Sequence, residues 1–368
     1  MNFSEEQLAK LWLASSESLS YKARERIVKH FGSALLAFEN FSSEALSLMG
    51  EKAFYELNSS KGKGLLFFQK EMDNAKAKAV FLEDKEYPTL LKQIQDPPFA
   101  LFYYGKLPQN PYKAVAIVGS RRETKYGSRM AQNIAEDLAL NNVIVVSGLA
   151  YGIDSAAHKG SLKGKGKTVA VLGSGLKNIY PKDNIPLARD IIKAGGCILS
   201  EYPLDSKPLP YHFPVRNRIV SGLCQAVLLI EAREKSGTLI TIGHALNQGR
   251  EVFALPGPVD MPTSAAPHRI LKEGACICTG AHDILENMGW EEAQLSFFDN
   301  KTDTEKPKDL TKEQLKIYDS LYGDTFSFEE LLEKTSLCAS EANANLVLME
   351  MYGYIESLPG GMYRRKNV

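Results

Sequence analysis

The chain has 368 residues, of which 44% are hydrophobic and 24% are charged. A typical domain has roughly 150 residues, so this length predicts two or three domains, and the composition excludes a disordered or collagen-like chain. The 44 lysines and arginines balance the 44 aspartates and glutamates, so a nucleic-acid surface would have to be a local patch.

The first residues lack the pattern of a secretory signal, and no apolar stretch approaches the length of a membrane span. The five cysteines are odd in number and lack CxxC spacing, which is typical of reduced intracellular thiols. We therefore expect a cytoplasmic protein with no membrane contact and no metal site.

Residues 1–80 show the spacing of amphipathic helices, as at Leu8 and Trp12, without the alternation of strands. We expect a helical domain here, of the helix-hairpin-helix or SAM-like kind. Its segment YKARERIVKHFGSALLAF consists of two helical stretches joined through Gly32, where backbone amides can contact phosphate. The alternative is a helical bundle that serves packing alone.

Residues 87–290 alternate short apolar runs with amphipathic helical stretches. The runs are KAVAIVG, NVIVVSG, KTVAVLG, CILSE, AVLLIEA and EVFALPG. Strands that are buried on both faces and separated by helices predict an α/β fold with a doubly wound parallel sheet. The segment from Tyr87 to Lys106 precedes these runs, and its prolines and aromatic residues indicate a linker packed against this domain.

Residues 291–308 are polar and predict a solvated linker. Residues 309–368 carry three helical patterns, a Pro-Gly-Gly turn and a basic end, which is the outline of a winged helix. The basic residues Arg364, Arg365 and Lys366 favour a duplex-DNA regulator, but the helices of this domain carry glutamates that repel phosphate. We therefore expect an auxiliary or protein-contact role for it.

The most informative turn follows the run KAVAIVG and consists of Gly119, Ser120, Arg121 and Arg122. In an open α/β sheet, ligands bind at the carboxyl ends of the strands, where helix N-termini attract anions. Two arginines at this position predict an anionic ligand. The alternative is that they pair with Glu123 or Glu136.

Three further turns follow predicted strands and extend the candidate site. They contribute Gly148, then Gly173, Ser174, Gly175 and Lys177, and then Ser236, Gly237 and Thr238. Together they predict a phosphate-binding groove lined by amides, whereas tight turns for helix packing would explain the glycines but not the lysine. After the turn that contains Gly148, we expect Asp154 to cap a helix and His158 to be structural.

The densest basic cluster lies in PLPYHFPVRNRIVSG, where Phe213 precedes Arg216, Asn217 and Arg218 in a predicted loop. Single-stranded nucleic acid requires this combination, because exposed bases stack on rings while guanidinium groups hold the backbone. The alternative is that Phe213 and Pro214 only pin the loop to the core.

Several enzyme classes lack their motifs in this chain. There is no G-x-G-x-x-G fingerprint for NAD, no Walker A motif for ATP, and no H-E-x-x-H, G-x-S-x-G or cysteine-histidine signature. We therefore expect neither a cofactor nor catalysis.

The segments IVGSRR, VSGLAYGIDSAAH, VLGSGLKNIYP, ILSEYP, FPVRNRIVSGL, EAREKSGTLIT and GREVFALPG, in this order, resemble the DNA-processing protein A family (DprA, also called Smf). The resemblance spans roughly residues 87–285. It implies an extended Rossmann-like domain that binds single-stranded DNA, forms a homodimer, protects incoming DNA and loads the RecA recombinase in natural transformation. It also implies that Arg121 contacts phosphate and that the FPxRNR motif contributes to the DNA-binding site.

A second hypothesis is an enzyme similar to the phosphoribohydrolases that act on nucleotides, which have a related Rossmann fold. Those enzymes carry a catalytic glutamate after a glycine-rich turn. Here the turn at Thr238 continues as Leu-Ile-Thr, so the recombination mediator is the leading hypothesis.

Overall fold

The computed structural model describes residues 3–290, 310–321, 325–358 and 361–365. They belong to two compact units, Met1–Glu292 and Ala293–Val368. The predicted linker over residues 291–308 and the basic residue Lys366 lie outside the described residues. No helix in the described ranges combines the length and the apolar character that a membrane crossing requires.

Helices occupy the N-terminal part of the first unit. They are α1 (Glu5–Ala14), α2 (Tyr21–Phe31), α3 (Ala34–Glu39), α4 (Leu46–Met49), α5 (Glu51–Lys61) and α6 (Leu65–Ala75). Trp12 lies fully buried among them, and its indole N–H donates to the carbonyl of Leu57 at 3.0 Å. These helices share one hydrophobic core with a face of the sheet that follows.

The turn at Gly32 does not present free amides. Gly32 ends α2 with φ of 89°, a conformation that glycine adopts readily. The amides of Ala34 and Leu35 donate to the carboxylate of Glu6 at 3.0 and 2.9 Å. An internal carboxylate therefore occupies these amides, which favours the alternative of a helical bundle that serves packing alone.

A sheet of nine strands forms the centre of the first unit within the described residues, in the order β1-β2-β6-β5-β4-β3-β7-β8-β9. The strands are β1 (Lys78–Phe81), β2 (Ala100–Gly105), β3 (Ala114–Val118), β4 (Ile144–Ser147), β5 (Thr168–Val171), β6 (Cys197–Ser200), β7 (Ala226–Leu229), β8 (Glu251–Ala254) and β9 (Cys276–Ile277). The strands from β3 to β9 run parallel, whereas β2 is antiparallel to both β1 and β6.

Helices cover both faces of this sheet. They are α7 (Thr89–Lys92), α8 (Lys125–Leu140), α9 (Ile153–Lys163), α10 (Ile185–Lys193), α11 (His212–Gly222), α12 (Thr238–Asn247), α13 (Ala265–Lys272) and α14 (Ala281–Asn287). Residues of α8, α9 and α14 pack on one face, and residues of α11, α12 and α13 pack on the other. The predicted doubly wound α/β fold is confirmed.

The sheet begins before residue 87, where we expected the central domain to start. The segment Tyr87–Lys106 is not a linker, because it contains α7 and β2. Ala100, Leu101 and Phe102 are buried, and β2 adds to the sheet at the edge of β6. The prolines stand before this strand and do not interrupt its hydrogen bonds.

The second unit contains α15 (Lys312–Ser320), β10 (Phe326–Ser327), α16 (Phe328–Thr335), α17 (Ala339–Met351), β11 (Ile355–Leu358) and β12 (Met362–Arg365). Its antiparallel sheet has the order β10-β12-β11. Three helices with this small sheet form the predicted winged helix. Arg364 pairs with Glu356, and Arg365 lies 3.8 Å from the ring centroid of Tyr318, so both arginines have internal partners.

Candidate functional site

A groove of about 810 Å³ opens at the carboxyl ends of the central strands. In the sheet, β4, β5 and β6 lie on one side of β3, and β7, β8 and β9 lie on its other side. Connections that leave β3 and β7 in opposite directions create a crevice at this point of an α/β sheet. We call it the strand-end groove, and its lining includes Gly119, Ser120, Arg121, Arg122, Gly148, Tyr180, Phe213, Arg216, Asn217, Arg233, Lys235, Ser236, Gly237 and Thr238.

The turn after β3 places two arginines at the rim of the groove. The hydroxyl of Ser120 accepts from the amide of Arg122 at 3.0 Å and donates to its carbonyl at 2.9 Å, which closes the turn. Arg121 and Arg122 are exposed, and neither has a carboxylate within 4.0 Å among the described residues. Glu136 pairs with Lys163 instead, so the alternative of internal ion pairs with that residue is not observed.

The N-terminus of α8 is already occupied by a carboxylate. The helix begins at Lys125, three residues after the arginines, with Thr124 as its N-cap. The amide of Thr124 donates to Glu231 at 3.0 Å, and its hydroxyl donates to the other carboxylate oxygen. Glu231 is buried at the end of β7. The anion that we expected at this helix dipole is therefore a side chain of the protein, and the charge left for a ligand is that of the two arginines.

The turn after β4 is held in the same way. The carboxylate of Asp154 accepts from the amides of Gly148 and Ala150 at 3.0 and 3.3 Å. Asp154 lies inside α9, whose N-cap is Gly152, so the expected capping role is wrong. A Cβ on Gly148 would lie 2.5 Å from Nη2 of Arg216, which explains the need for glycine there.

Arg216 is a buried structural residue. Its Nη1 donates to the carbonyl of Gly148 at 2.8 Å and also to the carbonyl of Val171. Burial lowers the pKa of Arg216 to about 10, and the nearby carboxylate of Asp154 opposes this effect. Burial in turn raises the pKa of Asp154, and Arg216 opposes that rise. Arg216 thus joins the ends of β4 and β5 beneath the groove.

His158 is also structural, as expected, although its partner is a residue of β5 and not the turn before α9. It is fully buried, and Nδ1 lies 2.7 Å from the hydroxyl of Thr168. Burial lowers the pKa of His158 to about 3, so the ring is neutral near pH 7.

Phe213 is half-buried and lines the groove. The guanidinium carbons of Arg121 and Arg216 lie 5.3 and 6.0 Å from its ring centroid. The ring of Tyr180, which is 44% exposed, is 5.8 Å away. The motif FPVRNR is not a loop, because it forms the first two turns of α11. Pro214 fits there because the first amides of a helix have no intrahelical partner.

The turn before α12 closes the groove on the other side of Arg121. The hydroxyl of Thr238 donates to the carbonyl of Gly119 at 3.2 Å, and the amide of Thr238 donates to Ser236 at 3.2 Å. Arg233 and Lys235 beside it are exposed. These two cations were not among the predicted site residues. Tyr180 was not among them either, although it is an aromatic residue before a proline in a strand-end turn.

Five predicted site residues do not line the groove. They are Gly173, Ser174, Gly175, Lys177 and Arg218. Ser174 is buried and donates to the carbonyl of Asn178 at 2.7 Å, and a Cβ on Gly173 would lie 2.9 Å from the ring of Phe213. The amide of Gly175 donates to the carbonyl of Ser206 at 2.9 Å.

The two basic members of this set are held by carboxylates. Lys177 pairs with Glu71 at 3.0 Å and with Asp205 at 3.1 Å. Arg218 donates to both carboxylate oxygens of Glu201 at 2.8 and 2.6 Å. The prediction that these side chains hold phosphate does not fit the structure, because their charge is already compensated.

The strand-end groove therefore presents four exposed cations, Arg121, Arg122, Arg233 and Lys235, around two rings. This arrangement can attract a phosphate backbone and offer ring faces to unpaired bases. Across the described part of the chain, no group of three or more histidine, cysteine, aspartate or glutamate side chains is arranged to hold a metal ion.

Comparison with known proteins identifies the relatives of this chain. The model of the family "DNA recombination-mediator protein A" matches residues 78–289, and that of the "DprA winged helix domain" matches residues 301–361. Protein Smf of Escherichia coli is 39% identical over 284 residues, which are 76% of this chain and 75% of that protein.

Two solved structures are similar in fold to this chain. The X-ray structure of DNA processing protein A from Streptococcus pneumoniae has a TM-score of 0.64 and 34% identity, and the match covers 78% of this chain and 98% of that one. The structure of a DNA processing protein A from Helicobacter pylori, described by its single-stranded DNA binding mode, has a TM-score of 0.52 and 28% identity. That match covers 58% of this chain and 95% of the other chain.

Proposed function

The chain belongs to the DNA recombination-mediator protein A family, and on this premise we propose that it binds single-stranded DNA in the strand-end groove and acts as a recombination mediator. In this role it protects an incoming strand and loads the RecA recombinase during natural transformation. It acts by binding and not by catalysis, in the cytoplasm.

The observation that carries the proposal is the position of Arg121. Its guanidinium lies over the ring of Phe213, and none of the described carboxylates lies within 4.0 Å of it. A guanidinium on a ring forms a flat surface on which a base can stack, and its N–H groups remain able to bind phosphate. Arg122, Arg233 and Lys235 supply further charge along the backbone.

The geometry favours a single strand over a duplex. Phe213 is half-buried in the groove, and Tyr180 lies beside it. Only unpaired bases expose faces that can reach these rings, whereas the bases of a duplex are stacked on each other.

The turn at Ser236 does not favour the phosphoribohydrolase hypothesis. Thr238 uses its hydroxyl to hold the carbonyl of Gly119, and the next residues are Leu239 and Ile240. No carboxylate follows this turn in the place where that class of enzyme has its catalytic glutamate.

The proposed homodimer is supported by the open edge of the sheet. Among the described residues, β9 is the last strand on its side of the sheet, and Ile277 is 60% exposed there. Val259 and Met261, which follow β8 in the chain, are 92% and 48% exposed. Exposed apolar residues at an unpaired strand edge are typical of an interface between copies.

The test measures binding of a labelled single strand and of the matching duplex at two salt concentrations, with wild type, Arg121→Glu and Arg129→Glu. Arg129 is an exposed arginine of α8 that does not line the groove, so it controls for net charge. We expect Arg121→Glu to weaken single-strand binding about tenfold to a hundredfold, because a charged hydrogen bond contributes about 1.5–3 kcal/mol. The dependence of log affinity on log salt should also become shallower by about 0.7 for each lost phosphate contact.

We expect Arg129→Glu to change the affinity much less than Arg121→Glu. Equal losses in the two variants would mean that only net charge matters, and tighter binding of the duplex would contradict the proposed function.

A further inference from the structure

A second groove, of about 1170 Å³, lies at the opposite edge of the same sheet. It opens at the amino ends of β3, β4, β5 and β6, and we call it the amino-edge groove. Six of its lining residues are lysines, namely Lys78, Lys85, Lys106, Lys113, Lys165 and Lys167, whereas Glu86 is the one acidic residue in the lining. Since the whole chain carries equal numbers of basic and acidic residues, this is a strong local excess of positive charge.

The charge of these lysines is not compensated within the described part of the chain. No carboxylate there lies within 4.0 Å of any of the six ammonium groups. Lys78 and Lys113 donate to backbone carbonyls, those of Gly105 at 3.3 Å and Trp290 at 3.2 Å. The other four lysines are exposed. The lysines of the amino-edge groove therefore differ from Lys177 and Arg218, whose charges are paired with carboxylates.

Helix ends do not account for the cluster. The helices α8, α9 and α10 end at this edge, and a lysine near a helix C-terminus complements the helix dipole. The last carbonyls of α9 already accept hydrogen bonds, however, from the amides of Lys165 and Gly166 to Leu162 and Ser161. Lys106 and Lys113 adjoin strands β2 and β3 and stand at no helix end.

The dimensions favour a polymer over a small molecule. Pockets for small ligands have volumes of roughly 300–1,000 Å³ and are mostly apolar, whereas this groove is larger and six of its lining residues are lysines. Lysines supply mobile point charges that suit phosphate oxygens in many geometries without recognising a particular base. Tyr103 and Tyr112 also line the groove.

We propose that the amino-edge groove binds the phosphodiester backbone of a nucleic acid, independently of base sequence, as a second site apart from the strand-end groove. The length of the strands, four to five residues at about 3.3 Å each, separates the two grooves by roughly 15 Å. One strand that is longer than either groove can reach both around the edge of the sheet. The amino-edge groove does not depend on Arg121, so the two sites can be tested separately.

The first experiment measures the reactivity of lysines toward an amine-acetylating reagent by mass spectrometry. The full chain is treated alone, with a single-stranded oligonucleotide of about 40 nucleotides, with the matching duplex, and with polyglutamate. We expect nucleic acid to protect Lys106, Lys165 and Lys167 several-fold, while the exposed lysines Lys29 and Lys159 outside the groove remain reactive. The single-strand and duplex arms identify which nucleic acid supplies the backbone.

The second experiment replaces charge in the groove. We expect Lys165→Gln combined with Lys167→Gln to make the salt dependence of long single-strand binding shallower by about 1.4, since each lost phosphate contact removes about 0.7. The control variant combines Lys29→Gln with Lys159→Gln and should leave the slope unchanged. Protection of the groove lysines should persist in the Arg121→Glu protein, which separates this site from the strand-end groove.

Unchanged reactivity of Lys106, Lys165 and Lys167 under saturating nucleic acid would overturn the proposal while leaving the strand-end groove unaffected. Equal protection by polyglutamate would also overturn it, in favour of an acidic protein partner. Unchanged single-strand binding by the Arg121→Glu protein, with protection of the lysines retained, would contradict only the proposed function.

Discussion

At the residue scale, the basic side chains of the site differ in what compensates their charge. Arg121 and Arg122 have no carboxylate within 4.0 Å in the described ranges, whereas Arg218 forms a two-pronged pair with Glu201. Arg216 is buried over the carbonyl of Gly148. A charge that is already compensated gains little from a phosphate. The main contributions of the FPxRNR motif are therefore the ring of Phe213 and a structural arginine, and not free positive charge.

Replacing Phe213 separates stacking from charge. We expect Phe213→Leu to weaken single-strand binding by about 1–3 kcal/mol, the contribution of one stacked base, with an unchanged salt dependence because no phosphate contact is lost. Phe213→Tyr keeps the ring and should retain most of the affinity. Fluorescence anisotropy titrations at three salt concentrations provide the measurement, and a shallower slope in Phe213→Leu would show that the ring acts only by positioning Arg121.

At the element scale, carboxylates of the protein occupy the positively polarised ends of several helices and turns. Glu231 fills the N-terminus of α8, Glu6 fills that of α3, and Asp154 accepts from the turn after β4. These carboxylates satisfy amides that would otherwise lack partners. At these positions a ligand of the groove would meet projecting side chains and not free helix N-termini.

This arrangement predicts a stability effect at Glu231. We expect Glu231→Gln to lower the free energy of unfolding by about 1–3 kcal/mol, because the amide group replaces one charged acceptor of the Thr124 bonds with a donor. Urea denaturation measures the change as a lower midpoint with an unchanged slope. Glu123→Gln, at an exposed position of the same turn, should alter stability by less than about 0.5 kcal/mol. Equal effects in the two variants would contradict the role of Glu231.

At the scale of the whole molecule, the sheet exposes different surfaces at its different edges. The carboxyl edge carries arginines and rings, the amino edge carries lysines, and the outer edge at β9 carries apolar side chains. The proposed binding of nucleic acid and the proposed contact between copies therefore use different surfaces of the first unit.

The proposed homodimer can be tested by placing a charge at the β9 edge of the sheet. We expect Ile277→Lys to shift the protein toward the monomer in light scattering at micromolar concentration, because a charge at the β9 edge opposes pairing. The affinity of the monomer for a short single strand should remain near that of wild type. Lys272→Glu, an exposed change on the neighbouring helix α13, is the matched control. If the Ile277→Lys protein has the same molar mass in solution as wild type, the interface between copies does not lie at the β9 edge.

Much of the fold was predictable because its signals are local. The apolar runs that became β3 to β8 are each a few residues long, and burial on both faces leaves them uniformly apolar. The three helices and the small sheet of the second unit followed from similar patterns. The strand β2 escaped prediction because nearby prolines obscured it and because its place depends on pairing with β6, which is distant in the chain.

The order of strand-end turns, and with it the family and the position of the groove, was readable from the residues alone. Which cations are free was not, because a side chain is neutralised by partners that only folding brings close. Lys177 meets Glu71 from 106 positions away, and Thr124 meets Glu231 from 107 positions away. Electrostatic interaction depends on distance in space and not on separation along the chain, so the tertiary structure decided that Arg121 and Arg122 remain available while Lys177 and Arg218 do not.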